Sequence, residues 1–230
     1  MTKIFIATPA YSGTVHVPYA ISLSETVCYL AQAGINTLIR INTAGSLLVA
    51  ERNRLIKAFL ETDCTHMLFI DGDLGWPAQA VKALIEHDED FVAGVYPSRK
   101  ENIFMFRPIL NEDQSIAKSE KNLLGMEYIP AGFMLLKRHV LEKVIEMNPD
   151  LYFKPKDPNA PDGHALFNTE VFEGEFWGED YVFCRRAREC GFKIYVDPLI
   201  EFDHAGIRGI LLNALTDKKP EYKNEIRIEV

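Results

Sequence analysis

The chain has 230 residues, 47% of them hydrophobic, and a formal net charge of −8 at pH 7. That length and apolar content supply one sizeable core, and the acidic balance argues against an extended nucleic-acid footprint, which needs clustered Lys and Arg. No apolar run approaches the ~20 residues that span a bilayer, and Met1-Thr2-Lys3 lead into a strand-like run rather than a signal peptide. The four cysteines (Cys28, Cys64, Cys184 and Cys190) lack Cys-x-x-Cys spacing, which points away from zinc or a disulfide framework and towards a reduced, cytoplasmic setting.

Lys3 to Thr8 alternate and carry β-branched residues, as a first strand does; it ends at Thr8-Pro9-Ala10-Tyr11. Apolar residues at Val17, Ala20, Ile21, Val27, Cys28 and Ala31 follow near helical spacing, with Gly34 as the stop. Ile35 to Ile41 reads as a second strand. Such a β-α-β unit expects parallel pairing and a right-handed crossover, which puts the loop after the first strand on the ligand side. Tyr11 in that loop either stacks on a nucleobase or packs on its neighbours. After the polar turn Asn42 to Ser46, a helix from Leu47 to Leu60 carries the stripe Leu48, Leu55, Ile56 and Phe59. Arg52 falls on that stripe, where a charge is unexpected. Two readings stand: the side chain snorkels to solvent, or its planar fork reaches a nucleotide diphosphate with Asn53 in support.

His66 to Ile70 is a short apolar run, read as a buried strand, and it ends in Asp71-Gly72-Asp73. Ligands of open α/β sheets bind outside the carboxyl ends of the strands, so both acids are expected at the sheet rim, facing one cation. Gly72 permits a tight turn and leaves room for a ligand. Oxygen donors of this kind suit magnesium or manganese, commonly held by one or two carboxylates plus substrate phosphates. The same tripeptide is also ordinary turn chemistry. An EF-hand is excluded, since its sixth and twelfth places are Trp76 and Lys82. Pro77 then opens a helix to Glu86, and Phe91 to Tyr96 is a strand ending at Pro97-Ser98-Arg99-Lys100. Alternating strands and helices predict an α/β fold with a largely parallel sheet.

The second part changes character. Residues 101–130 hold short strand-like pieces and a polar loop from Asn111 to Lys121. Ala131-Gly132 opens an apolar strand through Leu136, either to admit close approach of a sugar or simply to pack tightly. A helix spans Arg138 to Met147. Residues 148–170, rich in Pro, Asn, Asp and Gly, read as a long functional or mobile loop, a candidate acceptor-side lid. Phe176-Trp177-Gly178-Glu179-Asp180 opens a helix to Cys190, with Gly191 as its stop. Glu179 and Asp180 suit a helix start by charge alone, and paired with Asp71 and Asp73 they become general-base candidates. Lys193 to Val196 and Leu199 to Asp203 read as strands, with His204 at the end. From Gly206 onward the chain is weakly patterned.

Three features now stand in fixed order: Phe69-Ile70-Asp71-Gly72-Asp73; Gly178-Glu179-Asp180-Tyr181-Val182-Phe183-Cys184-Arg185-Arg186-Ala187; and Asp203-His204. Together they resemble nucleotide-sugar-dependent glycosyltransferases of the GT-A fold, the family-2-like group, over roughly residues 3–206. The resemblance implies a Rossmann-like, mixed but mostly parallel sheet flanked by helices in a single domain. Residues 1–100 would be its nucleotide-binding half, 101–206 its acceptor and catalytic half, and 207–230 a C-terminal tail. It implies that Asp71, Asp73 and His204 hold Mn2+ or Mg2+, and that Asp180, or else Glu179, is the base of an inverting transfer. Thr8, Pro9 and Tyr11 would cradle the base of a UDP- or GDP-linked donor; Arg52, Gly72, Ala131 and Gly132 would line the donor site. The acceptor, whether glycan, lipid-linked or protein, stays open. The Thr8-Pro9-Ala10-Tyr11 opening departs from the family's frequent polar-acidic run and leaves the base undetermined. A nucleotidyltransferase forming a nucleotide sugar ranks lower, because only Ser12-Gly13 stands where a Gly-rich phosphate loop is expected. A non-catalytic binder of the same fold is the remaining alternative.

Overall fold

A computed structural model describes residues 1–10, 13–43, 47–100, 103–156 and 161–216. In chain order the first half comprises β1 (Lys3–Pro9), α1 (Val17–Gln32), β2 (Asn36–Asn42), α2 (Leu48–Leu60), β3 (His66–Ile70), β4 (Leu74–Gly75), α3 (Ala80–Glu86) and β5 (Phe91–Ala93). The second half begins with β6 (Arg107–Pro108), β7 (Leu124–Tyr128), β8 (Phe133–Lys137) and α4 (Arg138–Met147). A 3-10 turn (Pro149–Leu151) leads to β9 (Tyr152–Phe153), β10 (Gly163–His164), β11 (Glu170–Phe172) and β12 (Glu175–Trp177). Then come α5 (Glu179–Glu189), β13 (Ile194–Val196), β14 (Glu201–His204), β15 (Ile207–Ile210) and α6 (Leu211–Thr216).

The main sheet has the order β2-β1-β3-β8-β5-β13-β7-β6. β1 pairs in parallel with β2 and β3, and β13 with β5. β8 runs antiparallel to both β3 and β5, and β7 antiparallel to β13 and β6. Six of the eight strands therefore point one way, while the two reversed strands make most neighbouring pairs antiparallel. The α/β class holds.

Period-two alternation divides the core between the faces. Phe5, Ala7, Met67 and Phe69 enter one cluster with Leu55, Ile56 and Phe59 of α2, Val140 and Val144 of α4, and Phe183 of α5. Ile4, Ile6, Leu68 and Ile70 enter the other with Tyr19 and Leu30 of α1 and Val81 and Leu84 of α3. β1 does not alternate as its sequence reading expects: covered on both faces, it is a near-continuous apolar run, as β3 is. The stops fall at Gly34 and Gly191, both at positive φ (73° and 92°), which glycine adopts freely.

Four local expectations are corrected. Pro77 precedes rather than opens α3; it accepts the Ala80 amide at 2.9 Å in a turn. The β5 strand stops at Ala93, and Gly94 after it passes over the Phe202 ring, where a Cβ would lie 2.4 Å from Cζ. The described residues between 148 and 170 are not structureless: Leu166 and Phe167 are core residues, and Phe167 stacks on Phe183 at 4.5 Å and 12°. The chain beyond Gly206 continues as β15, paired antiparallel with β14, and α6, whose Leu211 is buried.

The inserted β8 decides what lies at the rim. Running opposite to β3 and β5, it begins where they end. Gly132 accordingly accepts the Asp71 amide at 2.9 Å, and Phe133 accepts the Gly94 amide at 3.0 Å. The small β15-β14-β4 sheet sets His204 opposite Leu74, one residue beyond Asp73.

Candidate active site

The residues at the carboxyl ends of β3 and β5, the start of β8, the start of α5 and the end of β14 meet around Tyr96. Its hydroxyl accepts the Gly132 amide at 3.1 Å and donates to Asp71 Oδ2 at 3.4 Å. Its ring meets His204 edge-on, with centroids 5.0 Å apart. Burial and the Asp71 carboxylate hold the phenol well above its ordinary range, so it stays a donor. Gly132 is required by this packing: a Cβ there would lie 2.2 Å from Tyr96 Oη and 2.6 Å from Asp71 Oδ2. Its missing side chain makes room for Tyr96 and Asp71.

Arg52 is 2% exposed, so it does not snorkel. Its Nη2 donates to Asp71 Oδ1 at 2.9 Å and its Nη1 to the Ala131 carbonyl at 3.3 Å. Nε faces Glu179 at 3.7 Å and has no hydrogen-bond partner. The guanidinium lies 5.6 Å from the Phe69 ring centre and 5.8 Å from that of Phe167, a cation–π setting. Burial opposes its charge, but Asp71, Glu179, Tyr96 and Asp180 outweigh it and raise its pKa. Asn53, one residue on, exchanges two hydrogen bonds with the backbone of Phe167 (2.7 and 2.9 Å). Arg186 of α5 donates to the Ala165 and Leu166 carbonyls (3.1 and 2.7 Å). Together they clamp the chain that lies against Arg52.

Asp180 enters from the first turn of α5, partly exposed, with its Oδ1 accepting the Tyr181 amide at 2.9 Å. Burial of the carboxyl, reinforced by the negative charge of Glu179 and only partly offset by Arg52, pushes its pKa up to about 7. A carboxylate titrating there is matched to proton transfer near neutral pH.

Asp73 lies across the rim from Asp71 and faces other partners. Arg99 Nη2 contacts its Oδ2 at 2.6 Å, and His204 Nε2 lies 3.3 Å from the same oxygen. His204 Nδ1 lies 2.6 Å from the Pro97 carbonyl and must donate to it. Its Nε2, 3.2 Å from Arg99 Nε, then accepts from Arg99 when neutral or donates to Asp73 when protonated. Burial works against the Asp73 charge, yet His204 and Arg99 hold its pKa below the ordinary range. Burial lowers and the Asp73 and Pro97 contacts raise the His204 imidazole, with a net rise.

Among the described residues, no three His, Cys, Asp or Glu side chains come together in a metal-holding group. Asp71 is turned to Arg52 and Tyr96, so the three expected ligands do not meet at one point. Asp73 and His204 alone form a two-donor seat. The Pro97 carbonyl fixes the imidazole so that Nε2 faces inward, as outer-shell acceptors do for metal-bound histidines. Two donors plus diphosphate and water oxygens suit Mg2+ or Mn2+.

The other expected donor residues are placed as follows. Thr8 is fully buried and shares a 2.6 Å hydrogen bond with Tyr19; Pro9 is buried beside it. Tyr11 lies outside the described residues. Gly72 faces Val15 Cγ1, 3.2 Å from where its Cβ would sit, which leaves little spare volume on that side. Ala131 is buried and offers its carbonyl to Arg52. Asp203 turns away, accepting the Gly206 amide and Arg208. Tyr96 and Arg99 are not among the expected site residues; the signal for them is their position at the end of, and just after, a strand read from the sequence. No helix among the described residues is long and apolar enough to cross a membrane.

No protein-family model and no curated protein matches the chain. Solved structures similar to it include S. aureus TarS 1-349 with UDP-GlcNAc, at 14% identity and a TM-score of 0.44, over 86% of this chain and 56% of that one. The TarS 1-349 complex with UDP gives 13% identity and a TM-score of 0.47, over 85% and 58%. A putative glucose-1-phosphate thymidylyltransferase from Bacillus anthracis gives 13% identity and a TM-score of 0.44, over 96% of each chain. The chain spans a little over half the length of the TarS chains it matches.

Proposed function

We propose that the chain is a glycosyltransferase of GT-A type that moves a sugar from a nucleoside-diphosphate donor to an acceptor hydroxyl. One observation carries this reading: acids from two distant stretches, Asp71 and Asp73 after β3 and Glu179 and Asp180 at the start of α5, gather with Arg52 and Arg99 around Tyr96 at the carboxyl end of the sheet. Arg99, exposed beside Asp73, suits a leaving diphosphate, whose charge grows as the anomeric bond breaks. An acid titrating at about 7 suits the acceptor side.

In this reading Asp180 takes the proton from the acceptor hydroxyl, and the transfer inverts. Burial, with the charge of Glu179 beside it, keeps the Asp180 pKa high, and Glu179 helps neutralise Arg52. Arg52 and Tyr96 fix the Asp71 carboxylate at the rim. Asp73 and His204 would hold Mn2+ or Mg2+, which when bound supplies Lewis-acid stabilisation of the departing diphosphate. The acceptor hydroxyl, delivered in line, gains from orientation as well as from the base.

Calorimetry with UDP and GDP, each with manganese, magnesium or chelator, tests the donor site. Binding of one nucleotide that needs the metal, and is lost in Asp73→Asn, is the expected result. Absence of binding by both nucleotides under every condition refutes the reading. With a donor sugar in hand, Asp180→Asn should lose ~10²–10⁴-fold in turnover while keeping donor affinity; turnover at the wild-type rate removes Asp180 as the base.

A further inference from the structure

The seat formed by Asp73 and His204 already holds a cation, and it belongs to the chain. Arg99 Nη2 lies 2.6 Å from Asp73 Oδ2, and Arg99 Nε lies 3.2 Å from His204 Nε2. One guanidinium thus engages both atoms that a divalent cation would use. Its two partners are largely buried, with side chains 12% and 10% exposed, whereas the Arg99 side chain is 66% exposed. The receptor is therefore rigid and the cation is the removable part. His204 is fixed from behind by Pro97, and the Ser98 amide closes the turn onto the Ile103 carbonyl at 2.8 Å. A long side chain on a turn, engaging a rigid Asp–His pair from the solvent side, is placed to swing away without disturbing the fold.

We infer that Arg99 and a divalent cation compete for Asp73 and His204, so that the donor-free chain keeps its metal seat closed with its own guanidinium. Both cannot occupy the seat: Asp73 Oδ2 and His204 Nε2 are 3.3 Å apart, and the guanidinium fills the approach to both. This rests on the metal-assisted reading above. It adds that metal affinity is set by a residue that is not a ligand. A released Arg99 also brings a free positive charge to the edge of the seat, where a diphosphate would lie.

The test is Mn2+ binding to nucleotide-free protein, followed by the electron paramagnetic resonance signal of free Mn2+, for wild type, Arg99→Ala and Arg208→Ala. Arg208 pairs with Asp203 next to His204 and is 74% exposed, so its removal takes away the same charge without opening the seat. If Arg99 holds the seat about nine-tenths of the time, Arg99→Ala binds Mn2+ about tenfold more tightly. Arg208→Ala changes affinity less than about twofold, as a solvent-screened charge does. Adding Asp73→Asn to Arg99→Ala abolishes the gain. Equal affinity in wild type and Arg99→Ala, or an equal gain from both arginine variants, overturns the competition while leaving the metal site standing. Absence of Mn2+ binding in wild type and Arg99→Ala alike, with UDP present as well, overturns both.

Discussion

Asp180→Asn separates the electrostatics of the site from any assumption about substrate. The carboxyl titrates at about 7 in the folded chain against an ordinary 3.8. Below pH 4 both folded and unfolded chains hold the proton, and the group contributes nothing to stability. Between pH 4 and 7 the unfolded chain releases its proton while the folded one keeps it, so stability falls as pH rises; above about 7 the loss is complete. At ~1.4 kcal/mol per pH unit, that interval of about three units is worth up to ~4 kcal/mol. Asparagine imitates the protonated acid and still offers an oxygen to the Tyr181 amide, so the first turn of α5 keeps its hydrogen bond. Urea denaturation of both proteins at pH 5 and pH 8.5 should find the variant more stable at pH 8.5, and its advantage should shrink at pH 5. Parallel pH profiles for the two proteins would refute the argument that burial and Glu179 hold this proton.

Two further substitutions probe the neighbouring contacts. Gly132→Ala forces a methyl against Tyr96 Oη and Asp71, and the overpacking should cost about 1–3 kcal/mol of stability, read as a lower urea midpoint; an unchanged midpoint would mean the two side chains retreat freely. Arg52→Met leaves Asp71 and Glu179 without the cation that both face, a loss of about 3–5 kcal/mol. Combined with Asp71→Asn the two effects should be strongly non-additive in a double-mutant cycle, and simple addition would count against a shared network.

Local sequence carried the fold class and the longer strands and helices, but not the short strands β9 to β12, β15 or α6. β1 and β3 are apolar on both faces because helices cover both sides of the sheet, and that requirement is written in consecutive residues. α1, α2, α4 and α5 end within about two residues of their expected bounds, since glycine stops and helical stripes are local signals. The motif acids were legible for a related reason: a strand followed by Asp-Gly-Asp, and acids at a helix start, mark the rim of an α/β sheet wherever they occur. The anomaly of Arg52 on an apolar stripe was legible too, although whether it met solvent or other groups was not.

Tertiary structure decided the rest. Nothing in the Phe133–Lys137 strand announces that it runs antiparallel between β3 and β5, because pairing direction is set by chain connectivity across about forty residues to β5 and more than sixty to β3. That insertion brings Gly132 to Asp71 and thereby selects a residue with no side chain. Thr8, which faced the ligand end by position, became a core residue because Tyr19 reaches its hydroxyl from α1. Asp71 and Asp73, adjacent in sequence to one glycine, part company because Arg52 and Tyr96 claim the first and Arg99 and His204 the second. Local sequence fixes where a carboxylate stands along the chain. Which charge neutralises it depends on side chains from remote segments, and only the fold brings those within reach.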